Sequence, residues 1–242
     1  MTPTNNASTW HEATVTSITD ETPTVKSFVF TLPQPAVHLA GQHYEIRLTA
    51  ADGYQAARLY SAASLGTGDN ALELTIALLP DGEVSPYLHE VLAIGDQVEI
   101  RGPLGKFFVW RPEDTQPVLL IGGGSGIVPM RCILQTHQQT GSTAPIHVLY
   151  SARTYDEIIY KDELLGNEQV TITLSDSKPA DWQGASGRIT PALLQATLEQ
   201  LAIQAAGTVY ICGTNGFVEA MAQHAVDLGV PSARIKAERF GA

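Results

Sequence analysis

One segment limits the possible folds more than any other: Leu119-Leu120-Ile121-Gly122-Gly123-Gly124-Ser125-Gly126-Ile127-Val128-Pro129. A short apolar run enters a cluster of glycines, and residues with helical spacing follow over Ile127–Gln139. Strand, glycine turn and helix in that order aim backbone N–H groups and a helix N-terminus at one point, which is how dinucleotide folds hold a pyrophosphate. Pro129 suits a first helical turn, where a missing N–H costs little. The spacing is G-x-G-x-x-P rather than G-x-G-x-x-G, so a tight turn with a purely structural purpose stands beside the nucleotide reading.

The rhythm on either side of this segment divides the chain. Downstream, Pro117–Ile121, Ile146–Ser151, Val170–Leu174, Thr208–Cys212 and Arg234–Ala237 read as strands. Tyr160–Leu165, Pro191–Leu201 and Phe217–Leu228 read as helices between them. That alternation predicts a doubly wound parallel sheet with helices on both faces. Upstream, strand-like runs at Ala13–Ile18, Val25–Leu32, His43–Leu48, Ala71–Leu79 and Gln97–Arg101 are separated by the turns Ala51-Asp52-Gly53, Gly66-Thr67-Gly68-Asp69 and Pro80-Asp81-Gly82. Short strands with such turns predict a small antiparallel β-barrel, interrupted by one helix at Ser85–Val91. Arg111-Pro112-Glu113-Asp114 reads as a linker. The expected fold is therefore an N-terminal barrel domain over residues 10–112 and a nucleotide-binding α/β domain over 117–242. The polar run Met1–Thr9 is expected to fray.

Composition removes several classes of function. Cysteine occurs twice, at Cys132 and Cys212. Two thiols make no disulfide framework and hold no iron–sulfur cluster, which takes about four thiolates. The seven histidines show no metal-ligand spacing, so no metal site is expected. A net charge of −11 disfavours nucleic acid as a partner. No apolar run approaches the roughly 18 residues of a membrane helix, so no membrane partner is expected. The first residues lack the basic and apolar regions of a signal peptide, which makes the cytoplasm the expected compartment. Ser, His and Asp residues show no G-x-S-x-G elbow, which argues against a hydrolase.

The barrel half carries two further clusters. In Arg58-Leu59-Tyr60-Ser61, a guanidinium suits a phosphate, a phenol ring suits stacking on a flat ring, and a hydroxyl suits a heteroatom that changes protonation. Gly82-Glu83-Val84-Ser85 places a turn and a hydroxyl ahead of a helix, either as a second phosphate cradle or as a plain N-cap.

Taken together these residues resemble the ferredoxin–NADP reductase superfamily, over nearly the whole chain and in family order. Arg58–Ser61 resembles its flavin motif and Gly82–Ser85 its second flavin-phosphate loop. Gly102-Pro103-Leu104-Gly105-Lys106-Phe107-Phe108 is similar to the segment that closes its barrel, and Gly122–Pro129 to its nicotinamide-nucleotide loop. Cys212-Gly213-Thr214-Asn215-Gly216-Phe217 resembles its C-G element and Glu238-Arg239-Phe240 its C-terminal ending.

The resemblance implies a flavoprotein reductase with bound FAD, FMN being the lesser alternative, and NADH or NADPH as substrate. It implies that Arg58 binds flavin phosphate, Tyr60 stacks on the isoalloxazine, and Ser61 hydrogen-bonds near its reactive nitrogen. Leu59, Ile76, Gly82, Val84 and Ser85 join the flavin contacts, and Phe240 covers the other face until nicotinamide displaces it. Gly122, Gly123, Gly124, Ser125, Gly126, Pro129 and Gly213 surround the nucleotide, with Cys212 where nicotinamide arrives and Glu238 near the reacting atoms. Without the motif, Cys212 reads equally as a buried core cysteine, and Phe240 as a packed chain end.

Ser175-Asp176 follows the third strand of the nucleotide half, where family members that take NADPH often carry Ser-Arg. An aspartate there repels a 2′-phosphate, so NADH is the favoured coenzyme, with Arg153 and Arg188 pulling the other way. The acceptor is expected to be a separate redox protein. The alternatives are a free-standing ferric, quinone or flavin reductase, and a regulatory module that binds cofactor without turnover. The overall acidity opposes docking of an acidic ferredoxin unless Arg47, Lys106 and Arg111 form a local basic patch.

Overall fold

Burial alternates along upstream strands such as 43–49 and 97–104, whereas the downstream strands 118–123, 146–152 and 208–213 are buried almost throughout, and that contrast separates two sheets, the second covered on both faces. The computed structural model describes residues 8–66, 68–203 and 206–240. Most of the expected N-terminal frayed run, and Thr67 within the turn at 66–69, lie outside the described residues.

The first sheet is antiparallel and joins β1 (His11–Thr22), β2 (Val25–Thr31), β3 (His43–Thr49), β4 (Gln55–Ser61), β5 (Ala71–Ala77) and β6 (Gln97–Leu104) in the order β4-β3-β6-β1-β2-β5. A bridge between Ala62 and Leu74 links its two ends, so the sheet curls into the expected barrel. Phe28, Phe30, Tyr44, Ile46, Leu72, Leu74 and Ile76 fill it. β1 is longer than its apolar run, because register shifts at Val15/Ser17 and Asp20/Thr22 let one strand bend around the barrel. The helix α1 (Ser85–Glu90) lies between β5 and β6 as anticipated. Ser85 does not cap it: the N-cap is Val84 without a side-chain bond, and the Ser85 hydroxyl accepts from the Leu79 amide at 3.0 Å.

The second sheet is parallel and joins β7 (Val118–Gly123), β8 (Ile146–Ala152), β9 (Val170–Leu174), β10 (Ala185–Ser186), β11 (Thr208–Gly213) and β12 (Ile235–Arg239) in the order β10-β9-β8-β7-β11-β12. The two-residue β10 was not expected; it is too short to carry a hydrophobic period. Helices α2 (Ile127–Thr140) and α3 (Lys161–Leu164) pack on one face, and α4 (Pro191–Gln200) and α5 (Asn215–Asp227) on the other. The faces follow from the strands themselves: Val118 and Leu120 point to one core, Leu119 and Ile121 to the other. α3 is shorter than its helical spacing because Tyr160 adopts a left-handed conformation, φ 57°, and starts the helix abruptly.

The core on the α2 side is continuous with the barrel core. Around it, Arg131 of α2 donates to Glu73 of β5 at 3.0 Å, to the Ala63 carbonyl at 3.0 Å and to Glu163 of α3 at 2.7 Å. Tyr210 and Lys236 both donate to the Val109 carbonyl in the connecting segment, at 2.8 and 2.9 Å. No described helix is long and apolar enough to cross a membrane.

Candidate active site

The parallel sheet reverses its winding between β7 and β11, and open α/β sheets bind ligands beyond the strand ends at such a point. Three candidate residues stand there in a row. Cys212 of β11 lies opposite Gly122 of β7 on one side and opposite Glu238 of β12 on the other. The glycine turn passes close to this row. A Cβ at Gly126 would lie 2.1 Å from the Cys212 carbonyl oxygen, and one at Gly123 would lie 2.9 Å from the Phe217 ring. Gly122, Gly123, Gly124, Ser125 and Gly126 thus run as one close turn into the N-terminus of α2, beside Gly213 of β11, while Pro129 is buried within the first turn of that helix.

The barrel brings its own candidates to this end. Ser61 closes β4 and pairs with His43 of β3, while Tyr60 pairs with Tyr44 and Arg58 with Ile46. Glu238 Oε1 approaches His43 Nδ1 to 3.8 Å, joining the two sheets at the site. Burial pushes the Glu238 carboxyl up to about 7 and pulls the His43 imidazole down. Both lean towards their uncharged forms, so their contact is not a full ion pair. Burial, reinforced by the charge of Glu238, also raises the Cys212 thiol, which therefore stays protonated and is no nucleophile. Phe240 follows β12, donates its amide to the Gly213 carbonyl at 2.9 Å and packs partly against the core.

The remaining flavin candidates differ in what they present. Arg58 and Leu59 are exposed and Tyr60 is half-buried. Ile76 and Val84 are fully buried in the barrel core, so each offers a cofactor its backbone alone. The Ile76 carbonyl already accepts from His89 Nε2 at 2.9 Å. Gly82 donates its amide to the Leu79 carbonyl, which makes the phosphate-loop candidate a tight turn.

At the same C-terminal edge of the parallel sheet, beyond β8 and β9, the Asp176 amide donates to the Arg153 carbonyl, so the two coenzyme-selecting candidates are neighbours. Arg153 is engaged twice by Glu157, at 2.9 Å each. The expected basic patch is not assembled from Arg47, which pairs with Glu99 at 2.6 and 2.8 Å and lies over the Trp10 ring.

His43 was missing from the residues read from sequence. A lone histidine in an apolar strand carries no motif, and only strand register puts it beside Ser61. Arg131 and Glu73 escaped notice for the same reason, their partners being distant in the chain.

The site's fit to a flavin can be judged from Ser61. Its hydroxyl is buried and has no hydrogen-bond partner among the described residues. Leaving such a group unpaired costs about 1–3 kcal/mol, which a ring heteroatom at this position would relieve. With Tyr60 beside it and Arg58 two residues further along the strand, the donor set fits FAD.

Comparison with known proteins agrees with this geometry. Residues 12–109 match the family described as an oxidoreductase FAD-binding domain, and residues 120–223 the family described as an oxidoreductase NAD-binding domain. The chain is 31% identical, over 95% of its own length and 68% of the relative's, to the ferredoxin–NAD(P)(+) reductase component of naphthalene 1,2-dioxygenase/salicylate 5-hydroxylase systems from Ralstonia sp. It is 33% identical to NADH-cytochrome b5 reductase 1 of Lodderomyces elongisporus, over 85% of this chain and 70% of that one. Among solved structures, the flavohem-like FAD/NAD binding domain of nitric oxide dioxygenase from Vibrio cholerae superposes with a TM-score of 0.80 at 27% identity, covering 96% of this chain and 99% of that one. The chain belongs to the FAD- and NAD-binding oxidoreductases of the ferredoxin reductase type.

Proposed function

We propose that this chain takes reducing equivalents from NAD(P)H through FAD and passes them to a separate redox protein. The observation that carries this reading is the meeting of the two sheets: Glu238 reaches His43, the cross-strand partner of Ser61. Flavin-side and nucleotide-side residues thereby face one point. FAD, when bound, supplies the chemistry, accepting a hydride and releasing electrons to the acceptor.

The protein's part is to bind, orient and shield. Residues 10–112 form the flavin unit: Arg58 and the Gly82–Ser85 turn hold phosphate, Tyr60 lies against the ring, and the Ser61 hydroxyl hydrogen-bonds to it. Residues 117–242 form the nucleotide unit: Gly122–Gly126 and Pro129 cradle the pyrophosphate, and Cys212 and Gly213 line the place where nicotinamide arrives. Phe240 would cover the face of the ring that nicotinamide must reach. Glu238 tunes charge beside the reacting atoms, as a preorganised polar group does. The cytoplasm is the compartment proposed, since both cysteines are free thiols.

NADH is the coenzyme this arrangement favours. Asp176 opposes a 2′-phosphate, and Arg153, whose carbonyl the Asp176 amide reaches, already has Glu157 as its partner. Anaerobic stopped-flow reduction of the FAD-loaded chain tests both statements. NADH should bleach the flavin faster than NADPH, and Asp176→Arg should move the ratio towards NADPH by about tenfold, the effect of roughly 1.4 kcal/mol. A chain that neither coenzyme bleaches sinks the reductase reading. One that prefers NADPH sinks the coenzyme assignment alone.

A further inference from the structure

The turn that the flavin reading assigns to phosphate contains an acid. Glu83 lies between Gly82 and Val84, and its Oε2 accepts from Arg58 Nη2 at 2.8 Å. Its Oε1 accepts from the Tyr54 hydroxyl. Arg58 Nη1 donates meanwhile to the Ala57 carbonyl at 2.7 Å. Both terminal nitrogens of the guanidinium are thus engaged within the protein, and a two-point grip on a phosphate needs such paired donors. A flavin phosphate arriving at Arg58 meets a carboxylate already on the same cation.

We propose that Glu83 is an internal competitor for Arg58, so that FAD enters by displacing a carboxylate and is held less tightly than Arg58 alone would hold it. This rests on the assignment of Arg58 to the flavin phosphate. Several features of the pair fit a competitor rather than a fixed brace. Both side chains are about half exposed, 52% and 46%. Exposed pairs of this kind are weak enough to exchange. Glu83, Tyr54 and Tyr87 also line a hollow of about 610 Å³, which gives the carboxylate room to swing aside. The Tyr54 hydroxyl keeps Glu83 ionised and aimed at Arg58; its hydrogen bond, followed by that of Arg58, holds the Glu83 carboxyl below the usual range.

The consequence is a higher apparent Kd. Phosphate must displace a tethered anion, so half-loading needs more free FAD than in a chain with a neutral residue at this turn, with no change in the steepness of the binding curve.

The test is titration of the flavin-stripped full chain with FAD, followed by quenching of flavin fluorescence, in parallel with riboflavin, which carries no phosphate. Glu83→Gln should lower the Kd for FAD about three- to fivefold, the range a weak exposed pair allows, and leave that for riboflavin unchanged. Tyr54→Phe, which removes only the hydroxyl aiming Glu83, should give a smaller gain in the same direction. Arg58→Ala should weaken FAD binding and abolish the gain from Glu83→Gln in the double variant. Unchanged or weaker FAD binding in Glu83→Gln overturns the proposal and makes Glu83 a brace for Arg58. Equal tightening for FAD and riboflavin also overturns it. If Arg58→Ala binds FAD as the parent does, the flavin-phosphate assignment itself falls.

Discussion

Glu238 sits where burial makes ionisation costly, and that leaves a mark on stability that can be measured. Its carboxyl titrates near 7 in the folded chain against an ordinary value of 4.5, so between these values the folded state binds more protons than the unfolded state. The stability it contributes is fully present below about 4.5 and is lost as pH rises through about 7. Glu238→Gln keeps the shape and removes the titration. The variant should match the parent near pH 4.5 and exceed it by on the order of 1–3 kcal/mol above pH 8, measured by urea unfolding across pH; each unit of displacement is worth about 1.4 kcal/mol. A difference that does not change with pH means that Glu238 ionises as freely in the fold as in water. The residue's place at the chain's C-terminal strand was legible from its motif. Its burial was not, because that depends on His43, which lies nearly the whole chain away.

At the scale of an element, the glycine turn between β7 and α2 works by what it leaves out. Gly126 has an ordinary helical backbone, φ −62°, so any residue could adopt its conformation. What it lacks is space, since its Cβ would fall 2.1 Å from the Cys212 carbonyl on β11. Gly126→Ala should force the turn away from β11, raise the Kd for NADH about tenfold or more, and leave FAD bound; overpacking of this kind typically costs about 1–3 kcal/mol. Gly124 is the useful comparison. Its backbone is left-handed, φ 54°, with open space around it, so Gly124→Ala pays a conformational cost without a clash. Isothermal titration with NADH on the two variants separates them, and equal affinities would show that the close approach to β11 is immaterial to nucleotide binding. The sequence displayed both glycines as one cluster. It had no way to tell a glycine needed for its dihedral from one needed for its missing side chain.

At the scale of the molecule, Arg131 ties the barrel to the parallel sheet. Its guanidinium reaches Glu73 and the Ala63 carbonyl on one side and Glu163 on the other, and its carbon lies 4.3 Å from the centre of the Tyr160 ring. Removing one member of such a buried set strands the others. Arg131→Met should therefore lower stability by about 3 kcal/mol, from a urea midpoint, although methionine keeps much of the packing volume. Arg131→Met with Glu73→Gln should recover part of that loss. A single variant as stable as the parent would assign the tie to the continuous apolar core instead. The Ala63 carbonyl that Arg131 holds lies two residues beyond Ser61, so loosening the tie should also slow flavin reduction by NADH.

The class of each domain and the order of the two were determined by local chemistry alone. A run such as Val118–Ile121 entering glycines, and strands such as β3 with a period of two ending at an Asp-Gly turn, depend only on neighbours within a few residues. The motif at Arg58–Ser61 was likewise readable because a guanidinium, a phenol and a hydroxyl stand on one short strand. Tertiary structure alone decided which of these side chains are available. Ile76 and Val84 turn inward, Arg58 finds Glu83, Arg47 is spent on Glu99, and His43 arrives beside Ser61 through the pairing of β3 with β4. Burial and ionic partnership are set by residues far apart in the chain, and no window of sequence contains both halves of such a contact.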